Sequence, residues 1–300
     1  MTSTNGRADE HAADELVVLD HPARHIARIT LNRPDKANIV ATPEMNELLA
    51  RHLRACQSDD DIKVIILAGA GKNFCGGEDI NKTPMDSQSI ARGDRRPPQS
   101  SRIRHINEIE DIWADELLLC DKTVVASVQG AAIGLGFRLA LFCDIVVASD
   151  DAFFGRPQSR IGLAGLDMGL PVLLSRLGIN RGYELLLTGR TVTSQELHEW
   201  GFIASVVPRD DLADETMRYA QAIAAHSTDG LMIGRQAMKM FWNLQGLAQW
   251  RNFASVAHPL FSNLKWRDDE INLFKERERA ASPKEALQAV YRPWTDLGFK

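Results

Sequence analysis

Two short glycine stretches offer the most chemistry in this sequence. Gly76-Gly77-Glu78 and Gly134-Leu135-Gly136 each follow an apolar run. Glycine lets the backbone come close to a ligand and leaves N–H groups open, so two such junctions could aim their amides at one carbonyl oxygen. That arrangement is an oxyanion hole. Ordinary turn and packing roles for these glycines are the alternative. Beyond the second junction, VQGAAIGLGFRLALFCD places Arg138 in the first turn of an apolar helix. A cation there opposes the helix dipole by about a few tenths of a kcal/mol unless something negative meets it. Arg138 therefore either points into a pocket and clamps a substrate oxygen, or pairs with an acid from a neighbouring helix or subunit.

Other chemistries fit less well. GAGKN (69–73) lacks the spacing of a phosphate-binding loop, and GLGFRL (134–139) lacks the third glycine of a dinucleotide fingerprint. His21 and His25 fall in a turn and a strand rather than on one helical face, so metal ligation is not expected. Cys56, Cys75, Cys120 and Cys143 form no CxxC pair and sit in or beside apolar runs, as expected of buried reduced thiols. No cofactor is expected.

The elements that position these residues alternate. HIARITL (25–31) reads as a half-buried strand ending at Asn32-Arg33-Pro34-Asp35, and Thr42-Pro43-Glu44 opens a helix with Thr42 as N-cap. VIILA (64–68), VVASV (124–128) and IVVA (145–148) are apolar runs typical of strands covered on both faces. Strand and helix signals alternate to about residue 207, which predicts an α/β domain, and after Pro208 the pattern is helical. Residues 1–14 read as a disordered tail, 15–207 as the core, 208–300 as a C-terminal helical region, and 81–104 as a mobile loop.

Composition sets the outer bounds. The chain has 300 residues, 44% hydrophobic and 25% charged, proportions ordinary for a globular protein. A formal net charge of -5 gives no basic footprint and argues against nucleic acid as the main partner. With no signal-peptide pattern and no apolar run of membrane-spanning length, a cytoplasmic location without membrane association is expected.

FCGGEDI (74–80), VVASVQGAAIGLGFRLALFCDIVVASDDAFFG (124–155), ELLLTGRTVTSQELHEWGFIASVVP (184–208) and LNRPDKAN (31–38) together resemble the crotonase family, the enoyl-CoA hydratase/isomerase superfamily. The resemblance runs in order from about residue 15 to 280. It implies a ββα spiral with a C-terminal helical trimerisation region, an acyl-CoA thioester as substrate, and a homotrimer or dimer of trimers. By the same resemblance, the oxyanion donors are the amides of Glu78 and Leu135. CoA would lie near Lys36, Ala37 and the strand end Phe74 to Gly76, covered at its nucleotide end by Phe274 and Arg277. A solvated helix face is the alternative for Arg277.

The family's hydratases carry two catalytic glutamates, and their positions here are Arg138 and Gln158. A guanidinium stays protonated and an amide does not titrate, so neither replacement can act as a general base. Standard hydration is therefore not expected. Asp167, in GLAGLDMGL, is the best substitute acid, in a segment where aroyl-CoA dehalogenases and ring-opening hydrolases of the family place carboxylates, although the dehalogenase nucleophile aligns with Leu166. Its alternative role is to cap the helix MGLPVLLSRLG. Glu108, Asp111 and Glu116 are further possible acids, and Asp79 is expected to organise its turn. Three functions stay open: a lyase or isomerase with a non-standard acid/base set, a hydrolase using Asp167, and a non-catalytic acyl-CoA binder.

Overall fold

The computed structural model describes residues 16–40, 42–78, 100, 103–104, 112–261 and 266–299. The tail, Asp79, Glu108, Asp111 and most of 81–104 lie outside the described residues; Ser100, Ile103 and Arg104 are helical.

The main sheet has six strands in the order β1 (Val17–Ala23), β2 (Ile26–Leu31), β3 (Val64–Gly69), β4 (Thr123–Val128), β6 (Ile145–Ser149) and β9 (Ser205–Val207). β1 and β2 pair antiparallel and the remaining neighbours parallel. The apolar runs are continuous because alternate side chains feed different cores. Ile65 and Leu67 face the larger cluster with Ala126 and Val128, whereas Val64 and Ile66 face a second with Val125 and Val147. Helix α1 (Pro43–Ser58) buries Leu49 and Leu53 in the larger cluster, and Thr42 caps it by accepting from the Met45 amide at 3.3 Å.

A second sheet is built from three-residue strands: β5 (Ala131–Ile133), β7 (Phe153–Gly155) and β8 (Thr191–Thr193). β4 leads through Gln129-Gly130 into β5, and β6 leads through Asp150–Ala152 into β7. Cys75, past the end of β3, pairs with Ala132 as the matching piece of the preceding turn. β4 and β6 thus each hand the chain to a short strand of the second sheet, and a helix or turn follows, which makes the repeating step of the ββα spiral.

Short helices α2 (Ala114–Leu118) and α3 (Leu135–Phe142) precede and follow β4–β5; α4 (Gly169–Leu177), α5 (Ile179–Thr188) and α6 (Ser194–Glu199) flank β8. After β9 the described elements are all helical. α7 (Leu212–Ala224) covers the second core cluster with Leu212 and Ala220, so the helical region begins as a layer on the sheet. α8 (Thr228–Leu244) is docked by Arg235, which donates to the Cys120 carbonyl at 2.8 Å and pairs with Asp144. α9 (Leu247–Phe261) follows, and α10 (Leu273–Arg279) and α11 (Pro283–Asp296) fold back on the turn Ser159–Ile161, enclosing Ile161, Leu273, Ala286 and Val290. Ile233, Met240 and Leu244 on α8, and Phe253 and Val256 on α9, are exposed.

Candidate active site

The two glycine junctions meet through their main chains. The Phe74 amide donates to Gln129 O at 2.7 Å, the Cys75 amide to Ala131 O at 2.9 Å, and the Ile133 amide to Cys75 O at 3.0 Å. This pairing presses the chains together: a methyl group on Gly136 would lie 2.2 Å from the Cys75 carbonyl oxygen. One on Gly77, whose φ is 101°, would lie 2.7 Å from Ile133 O and 3.8 Å from the Leu135 nitrogen. Only glycine permits that approach. Leu135 is the first residue of α3, where an amide has no acceptor within its own helix, and Glu78 follows Gly77 on the facing chain. Cys75, at the same corner, is no nucleophile, because burial pushes its thiol up to about 12.

LNRPDKAN wraps beside this corner. Ala37 and Asn38 both adopt left-handed backbone angles, φ 51° and 53°. Fully buried Asn38 secures the turn by donating to Ala70 O at 2.8 Å and Asn73 O at 2.7 Å, and by accepting from the Arg33 amide at 2.8 Å. Gly76 donates to Ala37 O at 2.8 Å, so Ala37 and Gly76 are neighbours and Lys36 is exposed next to them. Phe74 differs from its neighbours: its side chain is fully buried in the core, so it offers this surface main chain only.

Arg138 is 2% exposed, and its guanidinium carbon stands 4.9 Å from the ring centroid of Trp113, which in turn donates to Asn46 Oδ1 at 3.2 Å. Stacking on the indole face offsets part of the cost of burying the cation. Gln158 opens the turn Ser159–Ile161 with its Nε2 3.8 Å from where a methyl on Gly134 would be, and its buried Oε1 has no donor among the described residues. Gln158 thus approaches the Gly134 turn with its side chain, whereas Arg138 meets it with its backbone, the Arg138 amide donating to Gly134 O at 3.1 Å.

Asp167 accepts from Nη2 of Arg156 with both carboxylate oxygens at 2.9 Å, and its Oδ1 accepts the Gly169 amide at 2.7 Å. The capping role expected as its alternative is present, shifted by one position: Met168 is the formal N-cap of α4, and Asp167 caps from just before it. Sequence reasoning missed Arg156. It is 1% exposed and also donates to Gly165 O at 3.1 Å. A methyl on Gly169 would lie 2.6 Å from Arg156 Nη1, 2.9 Å from Asp167 Oδ1 and 3.0 Å from Arg138 Cγ, so these three side chains gather at that glycine. The available signal was a cation directly after the apolar FFG of a strand, eleven residues ahead of a lone acid in a glycine-rich run.

The remaining candidates lie further out. Glu116, on α2, faces α1 and accepts from Arg54 Nε at 2.8 Å and Gln57 Nε2 at 3.0 Å. Phe274 is buried against Trp266, ring centroids 5.5 Å apart, and Trp266 donates to Gly162 O at 3.0 Å. Arg277 is half-buried on the same helix α10, one turn after Phe274.

Spiral, double glycine corner and sequence agree on one class. A model of the enoyl-CoA hydratase/isomerase family matches residues 22–282, and the chain belongs to that family. It is 35% identical over 225 residues to a probable enoyl-CoA hydratase, echA12, of Mycobacterium leprae, covering 75% of this chain and 74% of that one. It is also 33% identical over 222 residues to the 1,2-epoxyphenylacetyl-CoA isomerase of Escherichia coli, covering 74% and 81%. Among solved structures, an enoyl-CoA hydratase from Mycobacterium smegmatis superposes with a TM-score of 0.78 at 26% identity, over 93% of this chain and 94% of that one. The crotonase fold expected from the sequence is therefore the fold observed, and the chain is an acyl-CoA-acting enzyme in general class. Among the described residues no helix is long and apolar enough to cross a membrane.

Proposed function

We propose that this protein binds an acyl-CoA thioester with its carbonyl oxygen between the amides of Glu78 and Leu135 and stabilises the enolate or tetrahedral species formed there. The observation that carries this reading is the main-chain contact of Gly77 with the Ile133–Leu135 segment. Amides held by such packing need no reorganisation as charge develops, and each donor of this kind is worth about 10²- to 10³-fold in rate. The CoA portion would run along Lys36, Ala37 and the backbone of Phe74 and Gly76, with Phe274 and Arg277 towards the nucleotide end. No cofactor beyond the substrate's own CoA is needed. The working unit is a homotrimer or dimer of trimers.

Isomerisation of an acyl group bearing an oxygen substituent suits the side chains better than addition of water. Arg138 supplies a permanent cation and Gln158 an amide, and neither can take a proton from water near neutral pH. A buried guanidinium can instead hold a substrate hydroxyl, carboxylate, carbonyl or epoxide oxygen in a charge-assisted contact. The Escherichia coli relative named as an epoxide isomerase lends weight to this chemistry. Hydrolysis with Asp167 as nucleophile or base is less well supported, because both of its oxygens are held by Arg156 and one also by the Gly169 amide. A non-catalytic acyl-CoA binder is the second reading, favoured by the loss of proton-exchanging groups at 138 and 158.

Mass spectrometry of a panel of saturated, α,β-unsaturated, aromatic, oxygenated and β-keto cyclic CoA esters, incubated with the protein in heavy water, separates these readings. Rearranged or deuterated ester supports the enzyme. Esters that bind and return unlabelled would move the binder to first place, and absence of any binding would overturn both.

A further inference from the structure

Gln158 can act at this site only if its amide stays beside the Gly134–Leu135 junction, and the turn that it opens, Ser159–Ile161, is followed by two glycines of left-handed angle, Gly162 at 87° and Gly165 at 65°. The turn itself is held by Arg160, whose Nε donates to Thr188 O at 2.8 Å, and by the Leu163 amide, which donates to Gln158 O at 2.9 Å. The Gln158 side chain is held separately, by what packs behind it. A methyl on Gly165 would lie 3.2 Å from Gln158 Cβ and 3.9 Å from its Cγ, so the Gly165 backbone forms the wall behind the glutamine while Gly134 faces its amide. The Gly165 carbonyl accepts from Arg156 Nη2 at 3.1 Å. The same nitrogen holds both oxygens of Asp167, and Asp167 holds the first amide of α4. Arg156 itself directly follows Gly155, whose carbonyl accepts the Gly134 amide at 2.8 Å. One buried guanidinium therefore joins the wall behind Gln158 to the strand end that seats the Leu135 corner.

We infer that Arg156, with Asp167 as its counter-ion, is a positioning residue: it fixes the 163–168 segment and through Gly165 keeps the Gln158 side chain against the glycine corner. It touches neither substrate nor reacting atoms. The inference deepens the acyl-CoA reading above and, for its kinetic part, rests on it. Asp167 then acts through Arg156 and not as a base.

Two measurements test this. Crystal structures of wild type and Arg156→Met compare the Gln158 side chain directly; the expected result is that it leaves Gly134 and the 163–168 segment shifts, with Arg156→Lys restoring the original position because one ammonium can replace the single nitrogen that makes all three contacts. Gln158 unmoved in Arg156→Met overturns the inference. On an ester that turns over, Gln158→Ala and Arg156→Met should each lower kcat by about 10²-fold with KM little changed, as misplacement of an active-site group by about 1 Å does. The double variant should be no slower than either single one. Losses that multiply mean the two act independently and also overturn it. Should Arg156→Met prove too unstable to crystallise, Asp167→Asn removes the counter-ion and is expected to displace the same glutamine. If the glutamine moves but wild type turns over nothing, the positioning stands and the enzymatic reading falls.

Discussion

At the scale of single residues, the site divides into main-chain atoms that packing holds and side chains that packing merely surrounds. Arg138 belongs to the second kind. Its guanidinium stacks on Trp113, and it is the one charged side chain on α3. Arg138→Ala should leave the protein folded and cut turnover or ester affinity by about 10-fold or more, the worth of a charge-assisted contact of about 1.5–3 kcal/mol; steady-state kinetics and calorimetric titration read this, and wild-type values would remove Arg138 from the pocket. Gly136 belongs to the first kind. Gly136→Ala must push Cys75 away from α3 and should destabilise the protein by about 1–3 kcal/mol, measured by urea unfolding, while also abolishing turnover. The glycine corner was legible because glycine is the one residue whose absence of a side chain is itself a signal. The Arg156–Asp167 pair was not legible, because its members meet across an irregular loop that carries no period to read.

At the scale of elements, legibility followed length and local signals. Thr42-Pro43 announced α1, and the structure begins it there with the Thr42 hydroxyl accepting from Met45. Thr42→Ala should lower stability by about 1 kcal/mol, visible as a reduced thermal midpoint with kinetics unchanged. The continuous apolar runs announced β3, β4 and β6 because two cores take alternate residues. β5, β7 and β8 could not be read, since three residues complete barely one alternation. For the same reason the sequence shows no repeat although the strand-to-strand handover recurs: what recurs is a path of the chain, and different side chains satisfy it each time. The exposed stripe Ile233, Met240 and Leu244 on α8 is an element-scale feature as well. Helical spacing of seven and four residues sets the three on one face, and large apolar side chains left in water favour burial. Light scattering should give a mass above that of one chain, and Ile233→Glu with Leu244→Glu should lower it; a monomeric wild type would refute assembly through this stripe.

At the scale of the whole molecule, the four buried thiols make stability depend on alkaline pH. Burial pushes Cys56 up to about 11, Cys75 and Cys120 to about 12, and Cys143 further, from an ordinary value of 9.0. In the unfolded chain these groups release protons above that ordinary value, while in the folded protein they keep them. Their contribution is therefore fully present below about pH 9 and is lost progressively as pH rises towards the folded values, by about 1.4 kcal/mol per thiol per pH unit. Urea midpoints measured from about pH 8 to 10.5 should fall accordingly, and a cysteine-selective reagent should find no thiol in the native protein until it unfolds. Midpoints independent of pH across that range would show the thiols to be exposed on the native surface or already ionised.

The touching main chains at Cys75 and Gly136 have a further consequence, for how such a molecule can change over generations. On the function proposed above, the carbonyl-polarising device is written in backbone, so it would survive almost any exchange of the side chains around it, provided the few positions that cannot accept a methyl group are left alone. On that proposal positions 138 and 158 form a palette around a fixed tool, and a library randomised there, with Gly77, Gly136 and the Arg156–Asp167 pair held, would explore new acyl-CoA reactions without having to reinvent the step they share.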